Sequence, residues 1–301
     1  MITTNRLRKI GKSLAVLVLL SGLLLLGSAR LVTGRWLGIR SLGRTVVNTA
    51  LAVNNRQTVS SYSQGHFTNI IFLHHSTGNN LIEQGSVRER FTQAGYSFWD
   101  HSFNYQGLRD PAGKFTGYSY SVPNDNTDPD GLARIFAQKV YDLPLDTLSG
   151  LFQHEVIIFK SCFAPANNIT SDQQLEQYKA WYLGIRKVMD QRPDKIFIVV
   201  SDPPLNPAET NAQEAARARA FANWLKSSEY LNGHRNVFTF DFYGYLAEND
   251  PASPDYNMLR KAYREGSDSH PNQVANRALG PQLVDFVLSA IQDYRTAVAS
   301  R

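Results

Sequence analysis

The sequence holds one cysteine, Cys162, in 301 residues. No intrachain disulfide can form, and no cysteine follows the N-terminal apolar run to accept a lipid. Acidic residues are missing from the first 82 positions, Glu83 being the first. Over residues 1–45 the basic side chains Arg6, Arg8, Lys9, Lys12, Arg30, Arg35, Arg40 and Arg44 stand unopposed. The remaining 23 basic residues face 26 acidic ones, so the formal charge of +5 resides in the N-terminal arm. A nucleic-acid-binding globule is thereby excluded, because the basic footprint lies outside the part that folds. Internal repeats are also absent.

What the arm does contain is SLAVLVLLSGLLLLGSA, seventeen uncharged residues between Lys12 and Arg30. A membrane span needs roughly 20 residues and at least about 17, and a basic segment before an apolar run is the order of a signal peptide. Residues 1–29 are thus a signal peptide or an N-terminal membrane anchor, and either exports the remainder of the chain. Small residues at Gly27 and Ala29 suit cleavage, whereas the arginines beyond suit retention. Residues 30–65, basic and then rich in Ser, Asn and Gln, have no sustained apolar period and read as a linker. The folded domain is expected over residues 66–301.

Within it, runs rich in Val, Ile and Phe alternate with longer amphipathic stretches. Strands are predicted at 69–73, 96–99, 156–159, 196–201 and 237–240, and helices near 79–93, 129–141, 172–190, 209–227 and 272–293. Such alternation implies a parallel sheet with helices on both faces, an α/β class. Residues 101–128, rich in Gly, Pro, Asn and Tyr, break the rhythm and read either as a substrate-side loop or as a surface insertion.

Ser76 follows the first predicted strand, where open α/β sheets place their chemistry. It is either a helix cap or a nucleophile, and a nucleophilic hydroxyl needs a histidine base with an orienting partner. Of seven histidines, His270 is the strongest candidate: it lies in the polar loop GSDSHPN just before the last helix, with Asp268 two residues upstream. Cys162, at a strand end, reads as a small buried residue rather than a second nucleophile. Asp202-Pro203-Pro204 reads as a turn at the cleft rim.

A serine after the first strand and Asp-x-His-Pro before the last helix resemble the SGNH or GDSL hydrolases, a superfamily of esterases and lipases. The resemblance spans about residues 66–293 and implies a three-layer α/β/α, flavodoxin-like fold with a central five-stranded parallel sheet. It implies Ser76 as nucleophile, His270 as base and Asp268 as its orienter, with no cofactor and no metal. The oxyanion donors it implies are the Ser76 amide, Gly107 after the second strand, and Asn167, Asn168 or Ser161 after the third. Here His74-His75-Ser76-Thr77 stands where the family has Gly-Asp-Ser-Leu. The family's acid commonly stands three before the histidine, at Ser267 here, so Glu265 is an alternative orienter.

The reading is an exported or membrane-anchored serine esterase acting on a carboxylic ester, with an acylated polysaccharide as a possible substrate, no nucleic-acid partner, and the membrane as partner if the leader is uncut. Three alternatives compete. An O-acyltransferase would use the same triad with a sugar hydroxyl in place of water. A non-catalytic glycan-binding envelope protein would keep the fold without turnover. A metal-dependent hydrolase would gather His74, His75, Asp268 and His270, although adjacent residues of an extended chain project to opposite sides.

Overall fold

The computed structural model describes residues 39–125, 128–161 and 167–299, with side chains from residue 47. The leader at 1–29 lies outside these residues; among the described helices none is long and apolar enough to cross a membrane. Helix α1 spans Ile39–Ser60, and the main folded unit runs from Asn55 to Arg301. Packing thus extends upstream of residue 66. Val59 is fully buried, and the Asn69 side-chain amide donates to its carbonyl at 3.0 Å. Composition hid this helix because its buried positions, Ala52, Asn55 and Val59, include a polar residue and sit in a polar surround.

From there the order is β1 (Asn69–Leu73), α2 (Ser76–Gln84), α3 (Val87–Gln93), β2 (Ser97–His101), β3 (Leu108–Arg109), α4 (Pro129–Phe136), α5 (Thr147–Leu151) and β4 (Val156–Phe159). Then come α6 (Asp172–Asp190), β5 (Ile196–Val200), α7 (Ala212–Leu225), α8 (Ser228–Leu231), β6 (Val237–Phe240), α9 (Phe242–Leu246) and α10 (Gln273–Ala299). The sheet runs β3-β2-β1-β4-β5-β6. Five strands are parallel, in the flavodoxin-like order. The sixth, β3, pairs antiparallel to β2 at the edge, a strand too short for periodicity to reveal. It arises in the segment read as loop.

Alternation along the strands divides the core into two layers. Ile71, Leu73, Ile157, Phe159, Phe197 and Val199 pack with α4, α6 and α7. Ile70, Phe72, Ile158, Ile198 and Val200 face α2, α3 and α10. The helix predicted over 79–93 is two helices, broken at Gly85 and at Ser86, whose φ is +54°. At this break α10 crosses in backbone contact: a Cβ added to Gly280 would lie 2.3 Å from the Gly85 carbonyl oxygen and 2.5 Å from its Cα. Asn276, one turn earlier on α10, donates to Gln84 at 2.8 Å.

One part of the core is polar. His154 bridges Asn69 and the Tyr120 hydroxyl, each at 2.9 Å, while His101 accepts the Tyr120 N–H at 3.1 Å through Nε2 and so donates from Nδ1 to the Ser102 carbonyl. Burial holds the His101 imidazole down at about 4, and burial with the nearby Lys195 charge holds His154 well below the ordinary range.

Two outcomes are expected. Gly280→Ala lowers stability by about 1–3 kcal/mol through overpacking, although alanine is the better helix former by about 1 kcal/mol; an unchanged urea midpoint would contradict the backbone contact. Stability also falls with pH below neutrality. Unfolded histidines titrate near ~6.5, so between that pH and about 4 the unfolded chain binds protons that His101 and His154 refuse when folded. The slope is up to about 1.4 kcal/mol per pH unit for each, and urea midpoints at pH 7 and 5 measure it.

Candidate active site

Strand β1 ends at Leu73, and the His74 N–H carries the ladder one step further by donating to the His101 carbonyl at 3.0 Å. The chain then turns into α2. Its N-cap is His75, with φ −129° and ψ −149°, and Ser76 is the first helical residue. The first intrahelical bond runs from the Asn79 N–H to the His75 carbonyl at 2.9 Å. The amides of Ser76, Thr77 and Gly78 therefore occupy the helix start, where no intrahelical acceptor exists and the helix dipole is positive.

The Ser76 Oγ lies 2.9 Å from His270 Nε2, across 194 positions of sequence. His270 Nδ1 lies 2.7 Å from Asp268 Oδ1, which also accepts the His270 backbone N–H at 3.0 Å. A carboxylate two residues upstream thus reaches both backbone and ring, so the short spacing suffices; Glu265 meets Asp268 through its carbonyl, 3.3 Å from the Asp268 N–H. Its partial burial opposes ionisation of Asp268, but the two His270 bonds, the imidazole's charge and the Ser269 amide outweigh it and hold the carboxyl below its ordinary range. With Nδ1–H donated to the carboxylate, Nε2 is left to accept the serine proton. Asp268 is 61% and His270 31% exposed, so the pair stands at an open surface.

The loop that carries His270 is held by residues that sequence reasoning missed. The Asn206 amide, beyond β5, donates to the carbonyls of Gly266 and Asp268 at 3.1 Å each, and its backbone N–H donates to Ser269 Oγ at 2.9 Å. That hydroxyl in turn donates to Glu209. Asn276 holds the Pro271 carbonyl at 2.9 Å. A lone asparagine in a proline-rich turn carries no pattern that marks it in advance.

The other expected residues are placed differently. Gly107 adopts φ +66°, where a Cβ would fall 2.5 Å from the Tyr118 carbonyl oxygen, and its N–H donates to the Phe103 carbonyl at 2.9 Å. Its glycine serves the turn, and its amide is engaged. Ser161 Oγ lies 2.8 Å from the Tyr182 hydroxyl in the core. Asn167 is buried with its amide on the Pro203 carbonyl, and Asn168 is exposed. Cys162 lies outside the described residues. Asp202 is buried beside Lys160, with Nζ to Oδ1 at 3.2 Å; burial pushes its carboxyl up to about 6 against the pull of that ammonium. This turn is therefore anchored by a buried charge pair.

The four residues of the metal reading do not converge. His74 faces Asp100 at 3.2 Å, and the buried His75 ring stands edge-on to Phe103 with centroids 4.5 Å apart. Burial, with the charges of Lys160 and His74, holds His75 at about 4. Among the described residues no group of three His, Cys, Asp or Glu side chains is placed to hold a metal ion.

No protein-family model and no curated protein matches the chain. Among solved structures, one of a candidate acylhydrolase from Bacteroides fragilis is 9% identical and superposes with a TM-score of 0.50 over 79% of this chain and 96% of its own. Another, of a candidate platelet activating factor from Streptococcus pneumonia, is 14% identical with a TM-score of 0.44 over 82% of this chain and 98% of its own. The first likeness is one of fold, consistent with the three-layer α/β arrangement implied by the SGNH resemblance.

Proposed function

We propose that the protein is a hydrolase of the esterase type in which Ser76 is the nucleophile. One observation carries this reading: the continuous chain from Ser76 Oγ to His270 Nε2 and from His270 Nδ1 to Asp268. Ser76 Oγ attacks the ester carbonyl carbon while its proton passes to His270 Nε2, and Asp268 steadies the resulting imidazolium. The carbonyl electrons move onto oxygen, which meets the Ser76 amide at the start of α2. His270 then protonates the departing alcohol, leaving an acyl-serine. Water, deprotonated by the same imidazole, releases the acid and restores the serine.

The proposal extends to an exported protein, held or released according to the fate of residues 1–29, and to an ester on a carbohydrate of the cell envelope. Tyr105, 79% exposed and stacked on Phe103, and the Asn-rich loop around it suit sugar faces and hydroxyls better than lipid tails. A glycan-binding module without turnover is the second reading. It is favoured by the engagement of the Gly107 amide and the Ser161 hydroxyl away from Ser76.

The full-length protein is expected to hydrolyse a short acyl ester such as p-nitrophenyl acetate and to take a fluorophosphonate on Ser76. Ser76→Ala and His270→Ala each lose about 10³-fold or more in kcat, and Asp268→Asn loses less than either. Absence of turnover and of label in the folded wild-type protein would leave the binding reading, testable by glycan affinity that survives Ser76→Ala.

A further inference from the structure

Beneath the first turn of α2 lies a buried set of side chains that the hydrolytic step leaves unused. His74 is wholly buried, with Nδ1 2.8 Å from the His75 carbonyl oxygen and Nε2 3.2 Å from Asp100. A carbonyl only accepts, and so does an ionised carboxylate, so Nδ1 donates to the first and Nε2 to the second. Asp100, 1% exposed, is paired in turn with Arg88. That guanidinium is fixed from a second side, donating to the carbonyls of Phe98 at 2.8 Å and Asp110 at 2.7 Å. Burial works against ionisation of Asp100, but the hydrogen bond and charge of His74 together with Arg88 hold its carboxyl below the ordinary range. The imidazole also touches the helix it supports: a Cβ on Gly78 would lie 2.7 Å from the His74 Cγ and 3.0 Å from its Nδ1.

The carbonyl that His74 holds belongs to the same peptide unit as the Ser76 N–H. That unit is planar and trans, so its C=O and N–H point in opposite directions and fixing one aims the other. The His75 carbonyl is held by two donors, His74 Nδ1 and the Asn79 N–H. We infer that His74 is a positioning residue, and that Arg88, Asp100 and His74 together aim the Ser76 amide at the oxygen that becomes negative during acyl transfer. This inference rests on the reading of Ser76 as nucleophile.

Two amide variants separate the ring nitrogens: the side-chain amide of His74→Asn stands near the place of Nδ1, and that of His74→Gln near the place of Nε2. Full-length protein is assayed for kcat and KM on p-nitrophenyl acetate, with thermal unfolding in parallel. His74→Gln is expected to lose about a hundredfold in kcat with KM nearly unchanged, the scale on which small misplacement or a lost oxyanion donor acts. His74→Asn is expected to lose about tenfold less than His74→Gln. Equal losses, a milder loss in His74→Gln, or a change confined to KM would overturn the inference. If either variant fails to fold, Asp100→Asn, which loosens the ring without removing it, decides: a fall in kcat supports positioning and an unchanged kcat refutes it. An inactive wild type overturns the esterase reading and this inference together, whereas activity unaffected in folded His74 variants overturns this one alone.

Discussion

The bond between Ser76 and His270 joins the first turn after the first strand to the loop before the last helix, and everything else about the site depends on those two segments being brought within 2.9 Å. A hydrogen bond contributes only about 0.5–1.5 kcal/mol net, too little to order two loops by itself. The Gly85–Gly280 contact supplies the constraint. With no Cβ on either helix at the crossing, the backbones of α2 and α10 meet directly, and any side chain at Gly280 would drive them apart. Since α2 starts at Ser76 and α10 starts three residues after His270, a shift at the crossing is transmitted to both partners. Asn276 couples the same two elements, bonding Gln84 at the end of α2 and Pro271 beside His270.

Charge is buried at this edge of the sheet in two places, and strand parity explains the first of them. Asp100 follows Phe98 by two positions on β2, and His74 follows Phe72 by two beyond β1, so both project to the face that carries α2 and α10. Lys160 and Asp202, just past β4 and β5, form the second pair. Buried ion pairs seldom add stability over well-packed apolar residues, and removing one partner is costly because the other is left unpaired. Their presence at the strand ends rather than in the middle of the sheet fits a use in fixing the loops that leave those strands.

The Ser76–His270–Asp268 arrangement was legible in the sequence for a reason that is topological as well as chemical. A parallel sheet places every strand's carboxyl end at one edge, so a serine after β1 and a histidine before the last helix had few places to go except toward each other. Asp268 was legible by proximity, since a carboxylate at i−2 reaches both the amide and the ring of residue i. Gly107 and Ser161 are engaged elsewhere for local reasons: a glycine at positive φ answers a turn's demand, and its amide closes that turn; a serine directed toward the second layer meets the Tyr182 hydroxyl. Helix α1 stayed hidden behind a buried asparagine, and β3 behind its two-residue length. Asn206 was invisible because its role lies in where its amide points, which only the fold decides.

On the proposed function, the oxyanion donors take a different form from the set implied by the resemblance. A developing negative charge needs donors already aimed, because reorienting them during the reaction would cost the energy they are meant to supply. A side-chain donor after β4 would be aimed by its rotamer; amides at a helix start are aimed by the helix itself. On the proposed reading the Ser76 amide has its direction set from the far side of its own peptide unit, through the His75 carbonyl and the imidazole packed under Gly78. On the proposed reading such a site draws its electrostatics from backbone and from a buried ring.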